Sequence, residues 1–465
     1  MRCAGMTSTS NSTFTPGTDL GFGPGYGHGP GRFAIIVACG LAPVLLSSLA
    51  RAQGPCDFGQ VTQLAEGAIS GVGVQTPVPG FELLILRDGA PIYRRAFGNF
   101  QLGQVANADS ATKTISGAVI MSLIDQSAQP FTLNTRLSDY IPQFAGLKQP
   151  ITIRQAFSHT SNLRQSDTLS STTLTLQQVA LTIAGEPLRC FSGICTTGSS
   201  FSYGGTSMHA AGAVAEIVAG PAGNPVPWNT IFEQRIAAPL QLTQTRYVLS
   251  SPSNPRIAGG CESTAPEFAR VMEMLRRDGT GRVNGQDIAV LSPQSVQTML
   301  TRQTPKGVPI ASTPIQTPYT DGADYGVGVW LDERGPDDEL LGCIAAGARG
   351  FSAWIDFDDR MVGVIATDLT TSSNIQPLLY QIRAAAQATI RACEVNRVCD
   401  SIDFNNDGSF FDPTDIAAFV SVFSEGPCIP ANATCNDIDF NNDNSLFDPR
   451  DIDAFLSIFS EGPCL

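Results

Sequence analysis

A serine and a lysine three residues apart form the pair in this sequence that is best suited to nucleophilic chemistry. Ser110 and Lys113 make up the only S-x-x-K sequence in a chain that contains just three lysines. Residues i and i+3 lie on the same face of a helix, so the lysine amine would lie beside the serine hydroxyl. The apolar run 115–124 predicts that this helix is buried, and burial favours a neutral amine that can accept a proton. The spacing therefore indicates a serine that a neighbouring lysine could activate as a nucleophile.

Other ways of activating a serine find little support in the sequence. The chain has three histidines, His28, His159 and His209, and no G-x-S-x-G sequence. A Ser-His-Asp hydrolase and a histidine-based metal site are therefore not expected. We interpret His159, which lies in a Ser-His-Thr-Ser segment, and His209 as structural residues.

The sequence segments on either side of the Ser-Lys pair occur in an order that resembles that of a known protein family. Over residues 70–390 the chain resembles the serine β-lactamases and penicillin-binding proteins, and is nearest to class C β-lactamases and related esterases. The resemblance implies an α/β (α+β) fold, in which helices flank an antiparallel sheet and the active serine lies between the sheet and a helical subdomain. The segments that carry it are 110–125, 133–144, 151–163, 201–220, 259–275, 325–331 and 347–368.

The resemblance also implies roles for individual residues. Ser110 would be the acylated nucleophile, Lys113 its proton-handling partner, and Tyr203 the residue that carries protons to the leaving group. The backbone N–H groups of Ser110 and Ala348 would form the oxyanion hole, where negative charge develops. Ser110 as an ordinary helix N-cap and Tyr203 as a core aromatic are the structural alternatives.

Two departures from the family pattern bear on the substrate. Tyr203 is followed by Gly204 and Gly205 where the family has Tyr-x-Asn, and residues 345–347 read Ala-Ala-Gly where it has Lys/His-Thr/Ser-Gly. We assign substrate binding to Gly205, Gly347 and Arg349, the last as a replacement cation. Without the usual grip on a carboxylate, we expect a neutral ester or amide substrate and weak β-lactamase activity. The alternative is a catalytically impaired binding protein of the same fold.

The C-terminal segment is an internal duplication with an acidic loop in each copy. Residues 399–428 and 435–464 match at 22 of 30 positions with a period of 36. Oxygen-bearing side chains at alternate positions, followed by a tight turn, are typical of calcium loops. The pattern resembles dockerin-type calcium repeats, although a solvated turn is the alternative. The predicted Ca²⁺ ligands are Asp403, Asn405, Asp407, Ser409 and Asp415 in the first copy and Asp439, Asn441, Asp443, Ser445 and Asp451 in the second.

A helix follows each loop, and the apolar faces of the two helices are expected to bury each other. These faces comprise Ile416, Phe419, Val420 and Phe423 in the first copy and Ile452, Phe455, Leu456 and Phe459 in the second. Disulfides Cys399–Cys428 and Cys435–Cys464 would each staple one copy. Elsewhere Cys190 could pair with Cys195, Cys261 with Cys343, and Cys56 with Cys393, because an even number of cysteines in an exported chain suggests disulfides.

The N-terminal region and the net charge bear on localisation and partners. The apolar stretch 33–49 leads into Ala50-Arg51-Ala52, which predicts a signal peptide with a long leader over 1–52; a membrane anchor and a lipoprotein signal at Cys39 are the alternatives. A β-lactamase-like domain would follow over 53–393 and the tandem repeat over 394–465. The protein would be secreted, periplasmic or on the cell surface. Its net charge of −14 argues against nucleic acid as a partner.

We therefore expect one metal cofactor, Ca²⁺, and two kinds of partner, a small-molecule substrate and a protein or cell-surface partner. Catalysis needs no cofactor, whereas the C-terminal repeat would bind Ca²⁺. The hydrolase domain would act on a small ester or amide, and the repeat would serve a protein or cell-surface partner. The binding-protein alternative would use the same calcium-dependent repeat for display.

Overall fold

A computed structural model describes residues 56–314, 322–369, 375–395, 399–409, 412–431, 433–441 and 449–460. Its α-helices are α1 Gly59–Ser70, α2 Thr112–Asp125, α3 Leu137–Tyr140, α4 Ile153–Phe157, α5 Leu176–Gly185, α6 Thr206–Ala219, α7 Trp228–Phe232, α8 Ala238–Leu240, α9 Ala265–Arg276, α10 Pro293–Met299, α11 Gln376–Val395, α12 Pro413–Phe423 and α13 Pro449–Phe459. Its strands are β1 Gly80–Arg87, β2 Ala90–Gly98, β3 Ala106–Asn107, β4 Phe201–Ser202, β5 Arg246–Tyr247, β6 Ser250–Ser251, β7 Asn254–Pro255, β8 Cys261–Ser263, β9 Thr280–Val283, β10 Gln286–Ala289, β11 Ile310–Ser312, β12 Trp330–Arg334, β13 Leu340–Ala346, β14 Ser352–Asp356 and β15 Met361–Ala366.

The larger domain is built around one antiparallel sheet of six strands. Its order is β12-β13-β14-β15-β1-β2, so the N-terminal hairpin β1–β2 joins the C-terminal strands through β15. The register places Leu84 of β1 opposite Val364 of β15. Helix α1 packs on α11, which brings the two ends of the domain together on one side of the sheet.

Strand β1 shows how the sheet is covered on both faces. Phe81, Leu83 and Ile85 lie in one hydrophobic core with α1 and α11, whereas Leu84 and Leu86 lie in another with α2 and α9. Successive side chains of a strand point to opposite faces, so a continuous apolar run suits a strand that is covered on both sides. The predicted antiparallel sheet flanked by helices is confirmed.

The helical subdomain surrounds α2, which is buried over almost its whole length. Every residue from Thr112 to Leu123 is buried, as expected for a helix enclosed on all sides. Helices α4, α5 and α7 pack against α6, and α6 and α10 in turn pack against α2. This arrangement places the N-terminus of α2 between the sheet and the helical subdomain.

The two C-terminal repeats share one small core that is built from equivalent positions. It comprises Ile402, Phe404, Ala418 and Phe419 of the first repeat and Ile438, Phe440, Ala454 and Phe455 of the second. The rings of Phe419 and Phe455 stack with centroids 4.1 Å apart. The backbone bonds are reciprocal as well, because the N–H of Asp400 donates to Phe440 O and the N–H of Asn436 donates to Phe404 O, both at 2.9 Å.

The predicted apolar helix faces are only partly buried in this core. Phe419 and Phe455 are buried as expected, but Val420 is 56% exposed, Leu456 53% and Ile416 37%, so the prediction was wrong for these three residues. The reason lies in the loops. Phe404 and Phe440 from the loops fill the space between the helices, which turns the outer side of each helix toward solvent.

Two of the five predicted disulfides form in the structure. Cys56–Cys393 and Cys190–Cys195 form as predicted. Cys428 pairs instead with Cys435, with Cα atoms 5.6 Å apart, so the predicted Cys399–Cys428 and Cys435–Cys464 pairs were wrong. The pairing of the two repeats brings the end of the first to the start of the second, and the bond therefore joins the copies rather than stapling each one.

The predicted Cys261–Cys343 pair was also wrong. Both residues are buried free thiols. Cys261 lies on β8 of a small three-stranded sheet, whereas Cys343 lies on β13 of the main sheet, and these strands do not pair with each other.

Several predictions fall on residues that the structure does not describe. The leader 1–52 lies outside the described residues, as do Asp443, Ser445 and Cys464. The domain boundaries after 52 and 393 and the export of the chain stay predictions. None of the helices in the described ranges is long and apolar enough to cross a membrane.

Candidate active site

The Ser-Lys pair lies where a short turn runs into α2. Ser110 is half-buried in the 3₁₀ turn Asp109–Ala111, and Lys113 lies in the first turn of the helix, where it is 3% exposed. Lys113 Nζ donates to Ser110 Oγ at 3.0 Å and to the carbonyl oxygen of Ala258 at 2.7 Å. The helical geometry therefore brings the amine and the hydroxyl into direct contact.

The surroundings of Lys113 weaken its hold on a proton. Burial, and secondly the positive charge of Arg256, lower the pKa of Lys113 to about 7, although the Asp109 carboxylate opposes the shift. A lysine amine with this pKa is partly neutral at neutral pH, whereas an ordinary lysine amine is almost fully protonated. A neutral amine beside Ser110 can act as a general base.

Tyr203 lies above the Lys113 amine, between β4 and α6. The Lys113 Nζ lies 4.5 Å from the centroid of the tyrosine ring, and this ring stacks on Trp330 with centroids 5.3 Å apart. Burial raises the pKa of Tyr203 to about 12, against the opposing effect of hydrogen bonding with Ser110 and Trp330. The phenol is therefore protonated at neutral pH and suited to donate a proton rather than to accept one.

The two histidines near this site are neutral rings with packing contacts. The His159 ring lies 4.5 Å from Tyr203 and 4.8 Å from Tyr325, between centroids. Burial and then the charge of Lys113 hold the pKa of His159 well below its usual value. His209 Nε2 lies 3.2 Å from Asn254 Oδ1, and burial is the main cause that lowers its pKa to about 4. These contacts agree with the structural interpretation of both residues.

The turn after β13 brings Ala348 to the cleft that contains Ser110. Gly347 is needed for this approach, because a Cβ atom at that position would lie 2.4 Å from the carbonyl oxygen of Ala108. Within the described ranges, the N–H groups of Ser110 and Ala348 donate to no protein acceptor. Two uncommitted N–H groups beside a nucleophile can hold an oxyanion.

Arg349 is bound to two carboxylates beside this turn. Its Nε and Nη2 donate to the two Asp109 oxygens at 2.9 and 3.0 Å, and its Nη1 lies 2.9 Å from an Asp368 oxygen. The charge of this guanidinium is thus already balanced within the protein. Its predicted role in substrate binding stays a prediction.

A cleft of about 280 Å³ opens above Ser110. Five of the predicted site residues line it, namely Ser110, Lys113, Tyr203, Gly205 and Ala348. The lining also contains Asp109, Gln165, Leu169, Gly204, His209, Arg256, Ala258 and Gly259, which the sequence analysis did not assign to the site. No motif in the sequence marks Gln165 or Arg256, so only the folded chain shows that they belong here.

Comparison with known proteins identifies the family. Residues 61–387, more than half of the chain, match the Beta-lactamase family. The chain belongs to the β-lactamase family. A search of curated proteins found no match.

Several solved structures share the fold of this chain. The chain is similar to a candidate β-lactamase from Bacteroides dorei DSM 17855 (22% identity, TM-score 0.61, covering 72% of this chain and 99% of that one). It is also similar to EstCE1, a hydrolase with promiscuous acyltransferase activity (20% identity, TM-score 0.54, covering 70% of this chain and 97% of that one). A third similar structure is that of a family VIII carboxylesterase (16% identity, TM-score 0.53, covering 72% of this chain and 99% of that one). At these identities the likeness establishes the fold alone.

Gln165 lines this β-lactamase-family cleft beside the Tyr-Gly-Gly segment, residues 203–205. A Cβ atom added to Gly204 would lie 3.2 Å from Gln165 Oε1, so the amide lies against the Tyr-Gly-Gly segment. This is the segment in which the chain lacks the asparagine that the family resemblance leads one to expect. Gln165 therefore brings an amide group into the cleft from another part of the chain.

Outside the β-lactamase domain, the first acidic loop is folded around the side chain of Asp403. Its two carboxylate oxygens accept the N–H groups of Asp407 and Gly408, both at 2.9 Å. Gly408 has a φ of +88°, as the predicted tight turn requires. Asn405 is 1% exposed and its Nδ2 donates to Asp407 Oδ2 at 3.0 Å.

Asp415 and Asp412 have different roles at the end of this loop. Asp415 is fully buried and accepts the N–H of Phe404 at 2.9 Å, which closes the loop. Asp412 caps α12 by accepting the N–H groups of Thr414 and Asp415. The carboxylate and amide oxygens gathered here are the donors that Ca²⁺ prefers, so the residues fit this ion. Within the described ranges no group of three or more His, Cys, Asp or Glu side chains is arranged to hold a metal, and calcium binding stays a prediction.

Proposed function

We propose that this member of the β-lactamase family is a serine hydrolase that cleaves esters or amides through an acyl-enzyme on Ser110. The observation that carries the proposal is the buried Lys113 amine, 3.0 Å from Ser110 Oγ, with a pKa lowered to about 7. An amine in this state can accept the hydroxyl proton at neutral pH, which an ordinary surface lysine cannot.

The reaction follows from the positions of these groups. Lys113 takes the Ser110 proton while Oγ attacks the substrate carbonyl, and the N–H groups of Ser110 and Ala348 stabilise the resulting oxyanion. The Tyr203 phenol, which is protonated at neutral pH, gives a proton to the leaving oxygen or nitrogen as the bond to the carbonyl carbon breaks. Lys113 returns a proton to Tyr203. Water then attacks the acyl-enzyme by the reverse sequence of proton transfers and frees Ser110.

An ester or an ordinary, acyclic amide is a better candidate substrate than a β-lactam. The turn after β13 carries neither the basic nor the hydroxyl side chain with which relatives of this type grip a carboxylate, and Arg349 on that turn is bound to Asp109 and Asp368. The names of similar solved structures, a family VIII carboxylesterase and a hydrolase with acyltransferase activity, agree with this choice.

A covalent probe tests the proposal directly. The purified protein is treated with a fluorophosphonate and digested, and mass spectrometry then locates the adduct. We expect the label on Ser110 and no label on the Ser110→Ala variant. The Ser122→Ala variant, which changes a buried serine in α2, should be labelled like the wild type. Absence of any adduct on Ser110 would favour the binding-protein alternative.

We further propose that the chain is exported and that residues 394–465 bind Ca²⁺ in two loops for attachment to a protein or cell-surface partner. The disulfides Cys56–Cys393, Cys190–Cys195 and Cys428–Cys435 support an oxidising destination. The oxygen-rich first loop and the reciprocal pairing of the repeats support a calcium module of dockerin-like type.

A further inference from the structure

Arg256 enters the candidate active site from the segment that follows β7. It is half-buried and lines the same cleft as Ser110 and Lys113. Two residues later, the carbonyl oxygen of Ala258 accepts a hydrogen bond from Lys113 Nζ at 2.7 Å. This contact ties the segment to the catalytic helix and keeps the guanidinium near the reacting groups.

The guanidinium of Arg256 has no partner within the described part of the chain. No hydrogen bond or ion pair joins its side chain to another described residue. Arg349 differs, since it binds Asp109 and Asp368. A partly buried cation without a counter-ion is costly, because burial removes some of its hydration. The cost is offset when a ligand supplies a negative charge.

The charges that face Arg256 do not supply that partner. Lys113 lies in the same cleft and carries positive charge when protonated. Asp109 also lines the cleft, but both of its carboxylate oxygens accept hydrogen bonds from Arg349. The His209 ring is held neutral by burial, which is the main cause that lowers its pKa to about 4. Among the residues that the structure describes, the Arg256 guanidinium is therefore the cation of this cleft that no carboxylate balances.

We propose that Arg256 binds a carboxylate on the substrate, so that the enzyme prefers esters or amides that carry an acid group. A guanidinium can hold a carboxylate through two parallel hydrogen bonds, which gives orientation as well as affinity. This inference rests on the proposed hydrolase function and names its substrate class. It also revises the expectation of a neutral substrate, since the cation comes from the segment after β7 rather than from the turn after β13.

Paired substrates test the inference in two arms. In the acyl arm, kcat/KM is compared for the mono-p-nitrophenyl ester of glutaric acid and for p-nitrophenyl pentanoate. In the alcohol arm, it is compared for the butyrate esters of 3-hydroxybenzoate and 3-hydroxybenzamide. We expect the wild type to prefer the carboxylate by about tenfold or more in one arm, because a hydrogen bond to a charged group contributes about 1.5–3 kcal/mol. The arm that shows the preference locates the carboxylate.

Variants link the preference to the guanidinium. Arg256→Gln should bring the ratio of the two kcat/KM values close to one. The ratio does not depend on how much of each preparation is folded. Arg235→Gln removes a half-buried arginine that donates to Gln126 and does not line the cleft, and it should keep the wild-type ratio. If Arg256→Gln also keeps it, the inference is overturned.

A second measurement needs no variant. Glutarate should inhibit hydrolysis of the neutral ester competitively, whereas glutaramide at the same concentration should not. Equal inhibition by the two compounds, or a wild-type ratio near one in both arms, would overturn the role of Arg256 while leaving the hydrolase proposal intact. If the wild type hydrolyses none of the four esters and Ser110 takes no label, the proposed function fails and this inference fails with it.

Discussion

Arg349 holds the carboxylate of Asp109 in a two-point ion pair, with Nε–Oδ2 and Nη2–Oδ1 distances of 2.9 and 3.0 Å. The N–H of Arg349 donates to the same carboxylate at 3.1 Å. Ala348 and Ser110, which offer the two candidate oxyanion N–H groups, are the immediate neighbours of these residues. Asp109 has a φ of +46°, in a region that few residues other than glycine adopt. The ion pair therefore both holds this conformation and sets the spacing of the two N–H groups.

Removing the Arg349–Asp109 ion pair should lower the hydrolytic activity and shift its pH dependence. Arg349→Gln should reduce kcat by roughly tenfold to a hundredfold, because the N–H groups lose their fixed spacing. The freed Asp109 charge should also raise the Lys113 pKa and move the midpoint of the pH–rate profile upward. Arg349→Lys should lower the rate without moving the midpoint. Arg391→Gln, which breaks a 2.9 Å ion pair with Asp359, is the control. Superimposable profiles for wild type and Arg349→Gln would contradict this role.

Ser110→Ala should abolish hydrolysis of a short p-nitrophenyl ester. Loss of the nucleophile removes the acylation step, and in serine hydrolases such a change lowers kcat by a factor of about 10⁴ or more. Steady-state rates, with circular dichroism to check the fold, measure the effect. Ser122→Ala, at a buried serine of α2 that donates to the carbonyl oxygen of Val119, should retain activity. Equal rates for wild type and Ser110→Ala would rule out the mechanism.

The state of Lys113 sets the expected pH dependence. The amine must be neutral to accept the Ser110 proton, and its pKa is lowered to about 7, mainly by burial. We therefore expect kcat/KM to rise with pH and to pass its midpoint near 7. Lys113→Arg should be inactive across this range, because a guanidinium does not lose its proton. Lys306→Arg, at a lysine that is 75% exposed, should behave as the wild type. A flat profile from pH 5 to 9 would count against Lys113 as the base.

Tyr203→Phe should slow the enzyme in a way that depends on the leaving group. A phenol with a pKa of about 12 can donate a proton to a departing alkoxide, and general acid catalysis contributes about 10²–10⁴ in rate. p-Nitrophenolate leaves without protonation, so its ester should be affected far less than an ethyl ester. Tyr325→Phe, whose ring centroid lies 6.3 Å from that of Tyr203, is the matched control. An equal loss with both esters would indicate a packing role for Tyr203.

The parts of the site that depend on local geometry could be predicted from the sequence. The Ser110–Lys113 contact needs only a helix that starts near the serine, and the burial of Lys113 follows from the apolar residues after it. The family resemblance added Tyr203 and Ala348, which lie far away in the sequence.

Features that arise from contacts between distant segments could not be predicted. Arg256 and Gln165 stand in no motif, and only the packing of their segments against α2 and the Tyr-Gly-Gly segment brings them to the cleft. The partners of Arg349 were unknown for the same reason. Cys428 pairs with Cys435 because the two repeats fold onto each other, and a duplication read along the sequence does not reveal that.

The acidity of the chain is concentrated in the C-terminal repeat, where a cation would have the largest effect on stability. Residues 394–465 contain fourteen acidic residues against Arg397 and Arg450, a net charge of −12. In the first loop, the backbone N–H of Asp407 donates to Asp403 Oδ1 at 2.9 Å and to Asn405 Oδ1 at 3.0 Å, and Asn405 Nδ2 donates to Asp407 Oδ2 at 3.0 Å. These bonds gather the Asp403 and Asp407 side chains into one tight loop. Like charges at this spacing repel, and the repulsion opposes the folded loop.

Calcium should therefore stabilise the repeat in the full-length protein. Calorimetric titration of chelator-treated protein should show two calcium ions bound. The melting temperature of the repeat should rise, because each bound ion adds about 2.7 kcal/mol to the free energy of unfolding at a hundredfold excess over Kd. Asp403→Ala should remove one of the two sites, whereas Glu425→Gln, at an exposed residue beyond α12, should keep both. Disulfides could mask the thermal effect by holding the loops in place, so the titration is repeated after reduction. If neither the oxidised nor the reduced protein binds calcium, the metal assignment is wrong and the repeat is a docking or sorting segment without a metal.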